Sequence, residues 1–569
     1  MKRTLLTAAL AGLLGGFSLP SPRAMAQTST EPDTCEAAAP LSPTRLLRRL
    51  SLDLRGHAPS LGELREARTA GRVDESTLDA WLGSEAMVRN LRPYHEELLW
   101  PYLTHIEMVP GTHLLYPFVG SSGSTIYVSP LRSAFFRVTG GTNLFQPCMD
   151  APARFDANGA LVLEPLVVGT ATVAWLDGWV EVQPYWAPDT TIKVCAMEAV
   201  ESEQAPVCPV IPDRVGLLEP TCQNLEANSQ QIGIGTFRGT PVDCGGPLAV
   251  WAPECGCGSD LRRCLTVAGE TQLEGAFNEQ SLRIVDRVLR EGRPYFEILT
   301  DPNIEVNGPI AHYMRNMSRL QLELFADPDP TAPMAGTGLA WTRTEWVDVA
   351  RSGRHSGVLT SPAYLMRHAA WRQRAHRFYN AFECSAFEPT GPLPSPYADC
   401  SQHEDLTQRC GCADCHQTLE PMAAHWGRFA EYGFMSLSED AYPTIGGPCT
   451  PPYLSIEQIF MCTRLYETDP VGEEIPFRGY LNAYVHRSAN EQMSITEGPR
   501  RLVQSSLESG RLAACTVKRM WGKLMRRDPT AEELREVLPE LEATFTGANY
   551  DLRALAKAIV TRPAYGRDR

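Results

Sequence analysis

Seventeen cysteines dominate what this 569-residue chain can fold into. One five-residue run, Cys412-Ala413-Asp414-Cys415-His416, gives two of them a fixed geometry. At 3.6 residues per turn, Cys412, Cys415 and His416 fall on one face of a helix. A C-x-x-C-H run is the attachment pattern of c-type haem, with two thioethers to the porphyrin edge and an axial imidazole on the iron. The spacing predicts one covalent haem c bound by Cys412, Cys415 and His416, with His416 as the metal ligand. About 0.01 such runs are expected by chance at this composition.

The N-terminus carries the three parts of an export signal over residues 1–26. Lys2 and Arg3 precede an apolar run from Leu5 to Phe17, and Ala24-Met25-Ala26 is a small-x-small cleavage site. The expected location is periplasmic, cell-surface or secreted. The apolar run is too short to span a bilayer, and no later stretch is long and apolar enough. No transmembrane segment is therefore expected after signal removal. With two sulfurs assigned to haem, fifteen cysteines remain, so at most seven bridges form. In an oxidising compartment disulfides are the default. Cys255, Cys257 and Cys264 offer three thiolates to a metal, but bridging is favoured. Cys410 with Cys412, Cys415 and His416 makes a poor zinc set, because adjacent Cys415 and His416 cannot comfortably ligate one ion.

Hydrophobic residues make up 43% of the chain and charged residues 21%, the balance of a globular protein. The formal net charge is −15. That acidity argues against nucleic acid as a partner and favours a redox partner protein with a basic patch.

The pattern divides the chain into a signal (1–26), an N-terminal helical module (41–108), a β-rich cysteine-containing insert (110–265), a helical module (275–383), a haem module (384–495) and a C-terminal helical module (496–569). In the first module a leucine-rich run breaks at Gly56 and Pro59. Ser60 and Glu63 then form a capping box, and a further helix begins near Ser76. Residues 160–169, 171–176, 179–183 and 191–195 read as short strands of a small sandwich or barrel. Cys148, Cys195, Cys208, Cys222 and Cys244 are positioned to staple it. Pro421 is expected to end the motif helix and open the next, whose face would carry Met422, Trp426, Phe429 and Tyr432. Near the C-terminus Thr530 and Glu533 repeat the capping-box spacing. Pro59–Glu66 resembles Pro529–Glu536, and a shared capping solution explains that without common ancestry. The fold class expected is mainly α with a β-rich insert: multi-helix cytochrome c-like modules around a small disulfide-stapled sandwich or barrel.

The run Cys412-Ala-Asp-Cys-His-Gln-Thr-Leu-Glu-Pro-Met422, followed by Arg428-Phe-Ala-Glu-Tyr432, resembles the haem module of planctomycete-type cytochrome c-like proteins. These are large exported proteins of planctomycetes and myxobacteria. Gly357–Leu365, Gly498–Leu502 through Cys515, Asp551–Leu555 with Ile559, and Arg48–Gly56 resemble other segments of that family. The likeness covers roughly 41–108 and 275–569. Glu420-Pro421 stands where the family has Asp-Pro, and its last Asp is missing after Tyr432. The resemblance implies a haem-bearing exported protein, with no known substrate.

Iron chemistry depends on the second axial position. Met422, His425, His403, Met366, His368, His376, His486 and Met493 are the candidates. A Met or His there implies an exported mono-haem cytochrome in electron transfer. An open position implies a peroxidase-like oxidoreductase. A third reading is a surface binding or structural protein whose β insert recognises a partner.

Overall fold

The structure is a computed structural model. It describes residues 39–567, apart from 105, 130–146, 160, 200–231, 234–235, 238–239, 242–255, 321–337, 352, 354, 388–394, 396–397, 403–405 and 437–488. The signal segment and Cys208, Cys222, Cys244 and Cys255 lie outside the described residues.

The described residues begin with four helices: α1 (Pro43–Arg55), α2 (Leu61–Ala70), α3 (Glu75–Leu82) and α4 (Glu85–Leu99). Gly56 ends α1 at φ 75°, a left-handed cap that suits glycine. The Ser60–Glu63 capping box then starts α2 with both of its reciprocal bonds made. Next come α5 (Val267–Glu291), α6 (Gly308–Asn316), α7 (Pro362–Arg367), α8 (Trp371–Glu383) and α9 (Ala413–Ala423). The chain closes with α10 (Ala489–Glu497), α11 (Pro499–Glu508), α12 (Arg511–Met525), α13 (Leu538–Gly547) and α14 (Leu552–Val560). Gly357 sits at φ 49°, where a Cβ would lie 2.1 Å from the Ile298 carbonyl oxygen, so only glycine fits the approach to α7.

One hydrophobic cluster runs through all of these regions. It joins Leu47 and Trp81 of the first helices to Phe277 of α5, Trp371 and Phe378 of α8, Trp426, Trp521 of α12, Leu555 of α14 and Tyr565. The first and last helices are thus two sides of one core. The Leu41 amide donates to the Gly566 carbonyl at 2.7 Å, and the Tyr565 hydroxyl donates to Asp53 Oδ2 at 2.7 Å.

The β region corrects an expectation. Five short strands form one mixed sheet: β1 (Leu114–Val119), β2 (Thr125–Val128), β3 (Trp179–Val182), β4 (Ile192–Cys195) and β5 (Leu265–Thr266), in the order β5-β1-β2-β4-β3. β1 and β5 are parallel, as are β2 and β4; the other two pairs are antiparallel. Among the described residues the strands Glu164–Val168 and Ala171–Leu176 pair only with each other. Among the described residues no sheet closes into a barrel or stacks as a sandwich. Local alternation shows that a segment is a strand; it does not say which strand it joins. The protein is mainly α with a small mixed sheet.

Four disulfides join described cysteines: Cys148–Cys195, Cys257–Cys264, Cys384–Cys515 and Cys400–Cys410. The first and second brace the sheet. The third ties the C-terminus of α8 to α12 across 131 residues. Loop-closure entropy makes that bridge worth about 5 kcal/mol, against about 2.5 kcal/mol for the seven-residue separation of Cys257–Cys264. Urea unfolding should show a larger loss for Cys384→Ala/Cys515→Ala than for Cys257→Ala/Cys264→Ala. Equal losses would show that chain entropy does not govern their contributions.

Candidate functional site: a dithiol at the start of α9

Cys400–Cys410 closes a short loop immediately before the motif. The Cys410 amide donates to the Cys400 carbonyl at 3.1 Å. Gly411 then takes φ 79°, a left-handed conformation that redirects the chain between two cysteines. The amides of Cys412 and Ala413 both donate to the Arg409 carbonyl, at 3.0 and 2.8 Å. Cys412 is the N-cap residue of α9, and Cys415 and His416 lie in its first turn. The motif therefore forms the helical face its spacing predicted, and all three residues are half-buried.

The helix does not end where expected. α9 runs through Pro421 to Ala423, and a short 3-10 turn follows at Ala424–Trp426. Met422, Trp426 and Phe429 are buried, but Tyr432 is 44% exposed at φ 56°. The expected second helix is thus absent, because the chain after Gly427 turns back instead of continuing. A buried carboxylate anchors the last turn of α9. Glu420 is 0% exposed, and its Oε1 accepts from Arg372 Nε at 2.6 Å and from His416 Nδ1. Its Oε2 is buried without a hydrogen-bond partner among the described residues. His416 and Glu420 are four apart on one helix, the spacing at which side chains meet. That pair was visible in the sequence; Arg372, on α8, carried no local signal.

Eight of the ten described cysteines are bridged. Cys412 and Cys415 are free thiols. Bridging removes Cys257, Cys264 and Cys410 from any metal set.

The haem expectation is overturned. Among the described residues no three His, Cys, Asp or Glu side chains group to hold a metal ion. The described candidates for the second axial position are engaged in other contacts. Met422 and Met366 are buried in the core. His425 Nδ1 bonds to the Gly498 carbonyl at 2.9 Å, and His368 Nε2 to the Leu99 carbonyl at 3.2 Å. His376 packs beside the Phe387 ring, with centroids 5.7 Å apart. Met493 Sδ accepts from Arg501 at 2.6 Å. His403 and His486 lie outside the described residues. The local spacing of Cys412, Cys415 and His416 encodes one side of a ring site. The opposite side would have to come from distant segments, which that spacing does not specify. The described residues therefore do not support a mono-haem carrier, a peroxidase-like enzyme or a binding protein with an ancillary haem, nor iron binding or electron transfer through it. Disulfide bonding stands. Among the described residues no helix is long and apolar enough to cross a membrane.

No protein-family model matches the sequence, and no match is found among curated proteins or solved structures.

Proposed function

We propose that Cys412 and Cys415 form a redox-active dithiol that exchanges with disulfides of other molecules. One observation carries this reading: of the cysteines described, only this half-exposed pair is unbridged. Residues three apart on a helix have Cα atoms about 5 Å apart, inside the span a disulfide accepts. The pair can therefore close without unwinding α9.

Exchange begins with a thiolate at Cys412 attacking one sulfur of a substrate disulfide. The substrate S–S bond breaks, a Cys412 mixed disulfide forms, and the leaving thiolate takes a proton. Cys415 then attacks Cys412, closing the Cys412–Cys415 bridge and releasing the second substrate sulfur as a thiol. Two electrons pass from the protein to the substrate. His416 lies one helical turn beyond Cys412, on the same face, and exchanges the protons. Glu420 and Arg372 are positioning residues that fix its imidazole. The export signal and the redox partner belong to the same proposal, with a disulfide-bearing protein outside the cytoplasm as substrate.

The test is thiol labelling and intact mass on the full-length protein in graded glutathione buffers. Two sulfurs should react together in the reduced form, and a 2 Da loss should appear and reverse as the buffer is oxidised. Cys412→Ser and Cys415→Ser should each abolish closure. Glu420→Gln should slow exchange by about tenfold or more while leaving the thiol count unchanged. A covalent adduct on both sulfurs, or thiols that never pair, would overturn the reading.

A further inference from the structure

A cleft of about 690 Å³ lies between α4, α8 and α12, away from the residues of the dithiol site. Its walls carry four cations, Arg377, Lys518, Arg519 and Lys523, against two carboxylates, Glu97 and Asp528. Such an excess is unusual in a chain of net charge −15. Basic side chains on an acidic protein ordinarily pair with its own carboxylates, and among the described residues these four make no ion pair. Arg377 donates to the Glu97 backbone carbonyl and Arg519 to the Asn380 backbone carbonyl at 2.6 Å. The Nε of each is buried with no partner among the described residues. Lys518 and Lys523 make no hydrogen bond or ion pair with a described residue. Lys523 lies 5.7 Å from the centre of the Tyr94 ring. Desolvation holds its ammonium below the ordinary value, with Asp53 and Glu97 acting the other way.

Those two nitrogens are closed to solvent, so an anion in the cleft would meet the charge of each guanidinium rather than its Nε hydrogen. The walls are helices, and the Cys384–Cys515 bridge joins two of them. Pro93, Leu98 and Ala381 add an apolar side. The volume is that of a small-molecule site. Two guanidinium groups and two ammonium groups around an apolar wall suit a tetrahedral dianion on an organic body. We propose that this cleft binds a small organic phosphate ester.

Gly522 lines the cleft, and a Cβ built there meets nothing within 4 Å. Gly522→Glu therefore adds a carboxylate without a clash at the backbone, and Lys518→Glu reverses an exposed charge at the rim. Arg48 belongs to a separate surface group with Arg45, Arg49, Arg526 and Arg567. Arg48→Glu makes a matched change of net charge elsewhere. Calorimetric titration of the full-length protein at low salt should show phenyl phosphate binding more tightly than inorganic phosphate or phthalate. Lys518→Glu and Gly522→Glu should each weaken phenyl phosphate by about tenfold or more. Arg48→Glu should leave it within about twofold. No binding by the wild type at about 10 mM, tighter binding of phthalate, or equal weakening by Arg48→Glu would overturn the proposal. Retention of wild-type affinity by both cleft variants would overturn it as well.

Discussion

Arg374→Met is expected to lower stability by more than about 5 kcal/mol, enough to leave most molecules unfolded at room temperature. Arg374 is fully buried, and its guanidinium reaches five backbone carbonyls. Nε donates to His368 at 2.9 Å, and Nη1 to Phe429 at 3.2 Å. Nη2 donates to Leu365, Ala430 and Gly433 at 3.0, 2.8 and 3.0 Å. These acceptors belong to two segments with no secondary-structure ladder between them, the end of α7 and the turn after α9. Burial pushes the guanidinium down to about 9, while Glu431 favours its charge, so it remains a cation at neutral pH. Methionine fills much of the volume but leaves the carbonyls facing apolar atoms, at about 1–3 kcal/mol for each group left unsatisfied. Arg374→Lys keeps the charge and loses the planar fork, so it should recover only part of the loss. Urea unfolding monitored by tryptophan fluorescence measures both. A change below about 1 kcal/mol in the lysine variant would show that the carbonyl cage does not need arginine.

Acid should unfold the protein well above the pH at which its carboxylates titrate. Desolvation holds His95, His312 and His425 at about 4 and His368 at about 3, and it also lowers His355. Each is neutral in the native state and takes up a proton on unfolding once the pH falls below about 6.5. Stability is therefore complete above that value and is lost as pH falls, because the unfolded state binds more protons. Between pH 8 and pH 5 each of the four numbered histidines loses about 2 kcal/mol, on the order of 8 kcal/mol together. Glu270, Asp286 and Glu383 are shifted upward by burial, so they protonate more readily in the native state. They offset part of the loss only toward the acid end. Melting temperatures at fixed ionic strength should drop steeply from pH 7 to pH 5. His368→Gln should flatten the profile. A level profile across that range would show that these histidines are protonated in the folded protein.

What the sequence revealed follows interaction range. The capping boxes at Ser60–Glu63 and Thr530–Glu533 involve residues three apart, and both form as expected. The first-turn placement of Cys412, Cys415 and His416 also rests on local helical spacing. Pro421 lies inside α9 rather than at its end, and Arg372, from another helix, bonds Glu420 in that last turn. The strands near residues 164–195 were recognisable from alternation, but their partners were not. β5 joins the sheet from beyond the insert's last expected strand, and nothing local announces that pairing. At the candidate site the thiols and imidazole were legible; the arginine behind them was not.

The pairing of α1 with the C-terminal residues constrains the order in which the molecule can be made. Arg49 donates to the Tyr565 carbonyl across 516 residues, and Tyr565 bonds Asp53 across 512. On a ribosome, the first helix emerges long before the residue it needs. Its contacts with α2, α3 and α4 can form soon after synthesis, whereas Arg49 and Asp53 stay without Tyr565 until nearly all of these residues are made. Loss of Tyr565 is therefore a lesion in the first helix as much as in the last.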